Sequence, residues 1–171
     1  MPYRRLLRIT VVLAVICVTA LLQPLSASAN VGPAWIFGLG SSKCVDVPNG
    51  NPANSVTIII YDCHQPRSTN QEWYFEDVNG GYQIRNRMTN KCLAVYGAKT
   101  TVNAPIIQYT CNQTTNSLWR SVSASPATDW YYIKNQNSDM CLTVRNNGTT
   151  NNATLLQFTC NDGNNQIWTW F

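Results

Sequence analysis

Apolar positions along this chain fall into short recurring runs rather than long helical stripes. Tyr82-Gln83-Ile84-Arg85 and Tyr131-Tyr132-Ile133-Lys134 carry an apolar or aromatic group at every second position, the period of a strand with one buried face. Trp35-Ile36-Phe37 holds the matching place earlier in the chain. A second run recurs as Cys44-Val45-Asp46-Val47, Cys92-Leu93-Ala94-Val95 and Cys141-Leu142-Thr143-Val144, and a third covers 57–63, 106–111 and 155–160. Tryptophan-bearing segments form a fourth. Turn formers separate them, among them Pro48-Asn49-Gly50, Asn79-Gly80-Gly81 and Asn146-Asn147-Gly148. Four short strands in each of three units predict twelve strands in all. One such unit cannot bury an apolar face alone, so three should close into a single pseudo-threefold all-β body with a shared core.

The segment before these runs differs. Arg4, Arg5 and Arg8 precede 14 uncharged residues at 9–22, Gln23 and Pro24 end them, and Ala27-Ser28-Ala29 supplies small residues suited to cleavage. Residues 1–29 therefore read as a secretory signal peptide, too short in its apolar part for a membrane anchor of about 20 residues. Taking 29 from 171 residues leaves 142, spanning 30–171. Removing the three arginines leaves nine basic groups of the original 12 against eight acids, a net charge near +1 rather than +4. Nearly neutral charge without Lys/Arg clusters argues against nucleic-acid binding and membrane insertion. The abundance of Asn, Thr, Trp and Tyr suits one secreted β domain.

The seventh cysteine, Cys17, lies in the presumed signal, which leaves six. Cys44 and Cys63, Cys92 and Cys111, and Cys141 and Cys160 are each 19 positions apart, and the pairs repeat at 48 and 49 positions. A tryptophan follows each second cysteine in Asn70-Gln71-Glu72-Trp73, Asn116-Ser117-Leu118-Trp119 and Asn165-Gln166-Ile167-Trp168. The simplest connectivity is one disulfide per repeat, the repeats covering about 35–78, 79–125 and 126–171. In an oxidising compartment each bridge would stabilise the fold by about 3 kcal/mol. A metal cluster is disfavoured, because His64 is the single histidine and no Cys-x-x-Cys occurs. No metal or cofactor is expected.

Cys-x-Asp-x near the start of a unit, an aromatic residue two positions before the second Cys, and a closing Gln-x-Trp together resemble the ricin B-type lectin β-trefoil. That family is also classed as a carbohydrate-binding module of xylan-binding type. The resemblance runs from about 35 to 171. It implies a β-trefoil in which each repeat offers one shallow sugar site. There an Asp and an Asn would bond sugar hydroxyls while the aromatic stacks on the ring. Such a site suits a saccharide, which has a polar rim and an apolar C–H face.

Carried over residue by residue, the pattern is fullest in the first repeat. There Asp46, Tyr61, His64, Asn70 and Gln71 form the candidate site, with Ile59 standing where many family members place Gln. The second repeat has Ala94 for Asp and Ser117 for Gln, though Tyr109 and Asn116 persist, and is expected to be structural. The third, with Thr143, Phe158, Asn165 and Gln166, is a weaker candidate. The alternative for the first repeat is that Asp46 caps the following turn and Tyr61 packs on the surface. Trp73, Trp119 and Trp168 are expected to be buried anchors.

Catalysis is not expected. Asp62, Glu72 and Glu76 do not recur in a pattern that would put two carboxylates across a cleft. His64 with Ser41 or Ser42 and Asp62 lacks a nucleophile elbow. The sequons Asn112-Gln113-Thr114, Asn147-Gly148-Thr149 and Asn152-Ala153-Thr154 matter only in a host that glycosylates secreted proteins. The leading expectation is a secreted, non-catalytic lectin that binds galactose-type or xylose-type glycans or polysaccharide mainly through the first repeat. The alternative is a cell-binding subunit of a toxin or glycoside hydrolase complex, its surface contacting protein. A protease-inhibitor trefoil fits the Gln-x-Trp signature poorly.

Overall fold

The computed structural model describes residues 31–78 and 80–171. The presumed signal peptide at 1–29 lies outside them. The described residues form strands joined by turns and single-turn 3-10 segments, and no helix among them is long and apolar enough to cross a membrane.

In the first repeat the strands are β1 (Val31–Gly38), β2 (Lys43–Asp46), β3 (Val56–Thr57), β4 (Ile59–Tyr61) and β5 (Glu72–Val78). The second contributes β6 (Gly81–Asn86), β7 (Cys92–Val95), β8 (Ile106–Tyr109) and β9 (Leu118–Ser123). The third contributes β10 (Tyr131–Asn135), β11 (Cys141–Val144), β12 (Leu155–Phe158) and β13 (Ile167–Trp170). Six of them close a ring by antiparallel pairing in the order β1, β5, β6, β9, β10, β13 and back to β1. Three hairpins, β2 with β4, β7 with β8 and β11 with β12, cap one end. A six-stranded barrel closed by three hairpins is a β-trefoil, the pseudo-threefold all-β body that the repeats predict and the fold that the family resemblance implies.

The described residues form 13 strands where twelve were expected. The third run of the first repeat divides at Ile58. Val56 and Thr57 pair with Gln108 and Ile107 of the second repeat, and Ile58 donates its N–H to the Ile106 carbonyl at 2.9 Å. Ile59 to Tyr61 turn instead to β2. One continuous apolar run thus serves two neighbours, a split invisible to periodicity.

The disulfides Cys44–Cys63, Cys92–Cys111 and Cys141–Cys160 each stay inside one repeat. The three repeat tryptophans are fully buried. Each indole N–H donates to the backbone carbonyl that follows the first cysteine: Trp73 to Val45 at 3.0 Å, Trp119 to Leu93 at 2.9 Å and Trp168 to Leu142 at 3.0 Å. A buried indole nitrogen needs such an acceptor. The bond also sets the height of each hairpin over the barrel, and with it the register of the three surface concavities.

Candidate functional site

The hairpin geometry brings the first-repeat candidates together. In the β2–β4 ladder Cys44 lies opposite Tyr61 and Asp46 opposite Ile59. Past Asp46 the chain enters the tight turn Pro48–Gly50, where Asn49 has φ 54° and Gly50 φ 62°. Asn and Gly are the residues that adopt left-handed backbone at least cost, so the local sequence matches the turn. Asn70 and Gln71 arrive on the 3-10 turn Thr69–Gln71 that leads into β5. Asp46, Pro48, Tyr61, His64 and Asn70 line one concavity of about 190 Å³.

Asp46 is 3 % exposed. Its Oδ2 accepts from Asn70 Nδ2 at 3.0 Å and from Gln71 Nε2 at 2.8 Å, while Oδ1 accepts no hydrogen bond from a described residue. Burial raises the carboxyl above its ordinary value of 3.8, against the Gln71 bond, the charge of His64 and the Asn70 bond, which pull it down. Asn70 is held in turn: its Nδ2 also donates to the Val47 carbonyl at 3.1 Å and its Oδ1 accepts from Ser68 Oγ at 2.6 Å. Tyr61 and His64 meet edge to face, with ring centroids 5.5 Å apart. The result is a carboxylate with one oxygen saturated by amides and one without a donor among the described residues, beside a half-buried aromatic pair.

Gln71 stands apart from this lining. It is fully buried behind Asp46, with Nε2 also donating to the Asp62 carbonyl at 2.9 Å and Oε1 accepting from the His64 N–H at 2.9 Å. It therefore positions Asp46 and ties down the segment after Cys63. Gln166 does the same in the third repeat, bonding Thr143 Oγ1 at 3.1 Å, the Thr159 carbonyl at 2.9 Å and the Asn161 N–H at 2.9 Å. Ser117 in the second repeat reaches only the Thr114 carbonyl and Asn112.

The third-repeat concavity, about 180 Å³, gathers Thr143, Phe158, Asn165 and Gln166. Thr143 is 4 % exposed and its hydroxyl is engaged twice, donating to the Cys141 carbonyl at 2.8 Å and accepting from Gln166. The second-repeat concavity, about 360 Å³, has Ala94 at the acidic position and the exposed rings of Tyr96 and Tyr109.

Two features lay beyond the sequence reading. The position where the other repeats carry Gln is Ile60 rather than Ile59, because Ile60 lies opposite Val45 as Gln108 lies opposite Leu93 and Gln157 opposite Leu142. Gln108 and Gln157 are fully buried and anchor a loop of the preceding repeat: Gln108 Nε2 to the Asn51 and Ala53 carbonyls, Gln157 Nε2 to those of Lys99 and Thr101. The second feature is Asn152, a third-repeat residue that lines the first-repeat concavity. The threefold pattern was the available signal: Ser55, Asn103 and Asn152 each have φ between 65° and 69°. Their N–H groups donate to Gln108, Gln157 and Ile60 of the next repeat at 2.9, 2.9 and 3.0 Å.

The acids considered for catalysis are dispersed in separate ion pairs. Asp62 binds Lys43 at 2.6 Å, Glu72 binds Arg87 at 2.7 Å, and Glu76 binds Arg85. Hydrogen bonds from Lys43 and Asn151 hold the Asp62 carboxyl below its ordinary value. Among the described residues no group of three His, Cys, Asp or Glu could hold a metal ion.

Comparison with known proteins extends this picture. The family model described as the ricin-type beta-trefoil lectin domain matches residues 34–168. The chain is similar to the designed 3-fold symmetric protein ThreeFoil, with 28% identity, a TM-score of 0.75, and 81% of this chain and 98% of that one covered. It is also similar to an exo-beta-1,3-galactanase from Clostridium thermocellum, at 25% identity and a TM-score of 0.76, over 82% of this chain but only 30% of the galactanase. The C-half of the earthworm R-type lectin, solved in complex with GalNAc, shares the fold at 20% identity and a TM-score of 0.63, covering 80% of this chain and 95% of that one.

Proposed function

The chain belongs to the ricin-type beta-trefoil lectin domain family, and we propose that it is a secreted, non-catalytic carbohydrate-binding protein whose first repeat holds a galactose-type or xylose-type glycan. The observation that carries this reading is the Asp46 carboxylate. Its Oδ2 is saturated by Asn70 and Gln71, so Oδ1 remains as a fixed acceptor for sugar hydroxyls at the wall of a concavity that also holds Tyr61 and His64. The amides prevent the carboxylate from rotating away, and the neighbouring ring offers a face for sugar C–H groups. Ala94 and Thr143 deny the same combination to the other repeats. Closure of all six described cysteines in disulfides suits an oxidising, extracellular setting.

A glycan array tests the assignment. Asp46→Ala and Tyr61→Ala should each abolish binding that the parent shows, while the far-ultraviolet circular dichroism spectrum stays native. Tyr61 is partly exposed and outside the Asp46 network, so it tests the site even if loss of Asp46 disturbs folding. Parent-like binding by both variants would refute the first-repeat assignment.

A second reading, a cell- or substrate-binding subunit of a toxin or hydrolase complex, draws support from the galactanase, in which a domain of this shape occupies 30% of a larger enzyme. Co-purification with a secreted hydrolase or toxin from the native source would favour it.

A further inference from the structure

The first concavity is walled by two repeats, and the geometry points to Asn152 as a ligand-contacting residue that determines specificity by reading the second unit of an oligosaccharide. This rests on the first concavity being the sugar site. Strand β4 runs between the two walls. On one side Asp46 pairs with Ile59. On the other, Ile59 bridges to Thr154, Ile60 donates its N–H to the Ala153 carbonyl at 2.9 Å, and Asn152 returns its N–H to the Ile60 carbonyl at 3.0 Å. The backbones carrying Asp46 and Asn152 thus lie one strand spacing to either side of β4, about 10 Å apart. Both line the same concavity, Asp46 3 % exposed at its floor and Asn152 exposed at its rim, so a ring held at the floor carries its glycosidic linkage outward. A ring seated on Tyr61 with a hydroxyl on Asp46 directs its glycosidic neighbour toward Asn152.

Asn152 is placed and free to act. Its φ of 69° is held by the backbone bond to Ile60. The adjacent Asn151 grips Asp62 twice, accepting from the Asp62 N–H at 3.0 Å and donating to Oδ2 at 2.8 Å. An equivalent grip recurs at the junction of the first and second repeats, where Asn54 accepts from the Thr110 N–H at 3.0 Å beside the Gln108 anchor; at the third-repeat loop it acts without a glutamine, since Ile60 has no amide. Meanwhile the Asn152 side chain is exposed and makes no hydrogen bond to a described residue. An amide that both donates and accepts, on a pinned backbone, suits discrimination between hydroxyl configurations.

The test is isothermal titration of the intact secreted chain with a monosaccharide that the array identifies and with a disaccharide containing it. Asn152→Ala should weaken the disaccharide about five- to tenfold, the worth of one neutral hydrogen bond, and leave the monosaccharide within twofold of the parent. Ser55→Ala, the equivalent change beside the second concavity, should alter neither. Parent-like disaccharide binding by Asn152→Ala, or equal weakening of both sugars, overturns the inference. If Asp46→Ala also binds normally, the failure lies with the first-repeat assignment itself. If Asp46→Ala abolishes binding and Asn152→Ala changes nothing, only the second-unit contact is refuted.

Discussion

Replacing Gln71 by Glu exchanges one atom of the network behind Asp46 and should turn stability pH-dependent. In the parent, Gln71 Nε2 lies 2.8 Å from Asp46 Oδ2 and 2.9 Å from the Asp62 carbonyl, while Oε1 accepts from His64 N–H. Gln71→Glu keeps the acceptor toward His64 and points a carboxylate oxygen at another carboxylate and a carbonyl. Two buried carboxylates at this distance cannot both ionise, so the folded pair retains a proton that the unfolded chain releases. A folded-state pKa raised above the unfolded value means stability fully present below the unfolded pKa and lost as pH rises through the folded one. If the pair keeps its proton about 2.5 units above the usual glutamate value near 4.3, the variant loses about 3 kcal/mol between pH 4 and pH 7 relative to the parent. Burial of Asp46 gives the parent a smaller tendency in the same direction, which the subtraction removes. Gln166→Glu is the control, because its Nε2 faces the Thr143 hydroxyl and the Thr159 carbonyl, with no carboxylate opposite. A hydroxyl can turn to donate to an anion, so the slope there should be less than half as large. Urea unfolding from pH 4 to pH 7 with the disulfides intact measures both. Equal slopes for the two variants, or a Gln71→Glu protein as stable at pH 7 as at pH 4, would refute the argument.

Two further outcomes are expected. Trp73→Ala should cost about 3–5 kcal/mol in urea unfolding, since it removes a fully buried indole and its bond to Val45. Trp73→Phe should cost nearer 1 kcal/mol, and an Ala variant within 1 kcal/mol of the parent would contradict the anchoring role. The sequon asparagines Asn152, Asn112 and Asn147 line the first, second and third concavities in turn, so glycans attached there stand in all three. Secretion through an N-glycosylating host should add mass and abolish sugar binding, and Thr154→Val, which removes only the Asn152 sequon, should restore it. Normal binding by the fully glycosylated chain would show that the Asn152 wall lies clear of the ligand.

Much of the candidate site in the first repeat could be read along the chain because its parts recur at set distances from the cysteines. Asp46 lies two residues after Cys44 and Tyr61 two before Cys63, and the disulfide with the antiparallel ladder brings them to one face. Gln71 was recognised by the same spacing, yet spacing cannot tell a ligand contact from the group behind it. That distinction depends on burial, which belongs to the folded neighbourhood. Asn152 lies eight residues before Cys160, as Ser55 and Asn103 lie before Cys63 and Cys111, but that spacing does not reveal that it faces a concavity whose Asp46 is 106 positions away.

Alternation of apolar groups, turn residues and cysteine spacing are properties of neighbours in sequence. They were enough to define three stapled β units and to show which unit keeps a carboxylate. Closure of the barrel, the division of one apolar run between β3 and β4, and the two-repeat wall of the first concavity depend on which strand edges meet. Those meetings join residues tens of positions apart, and they form only when backbone donors and acceptors left open by one repeat are satisfied by the next.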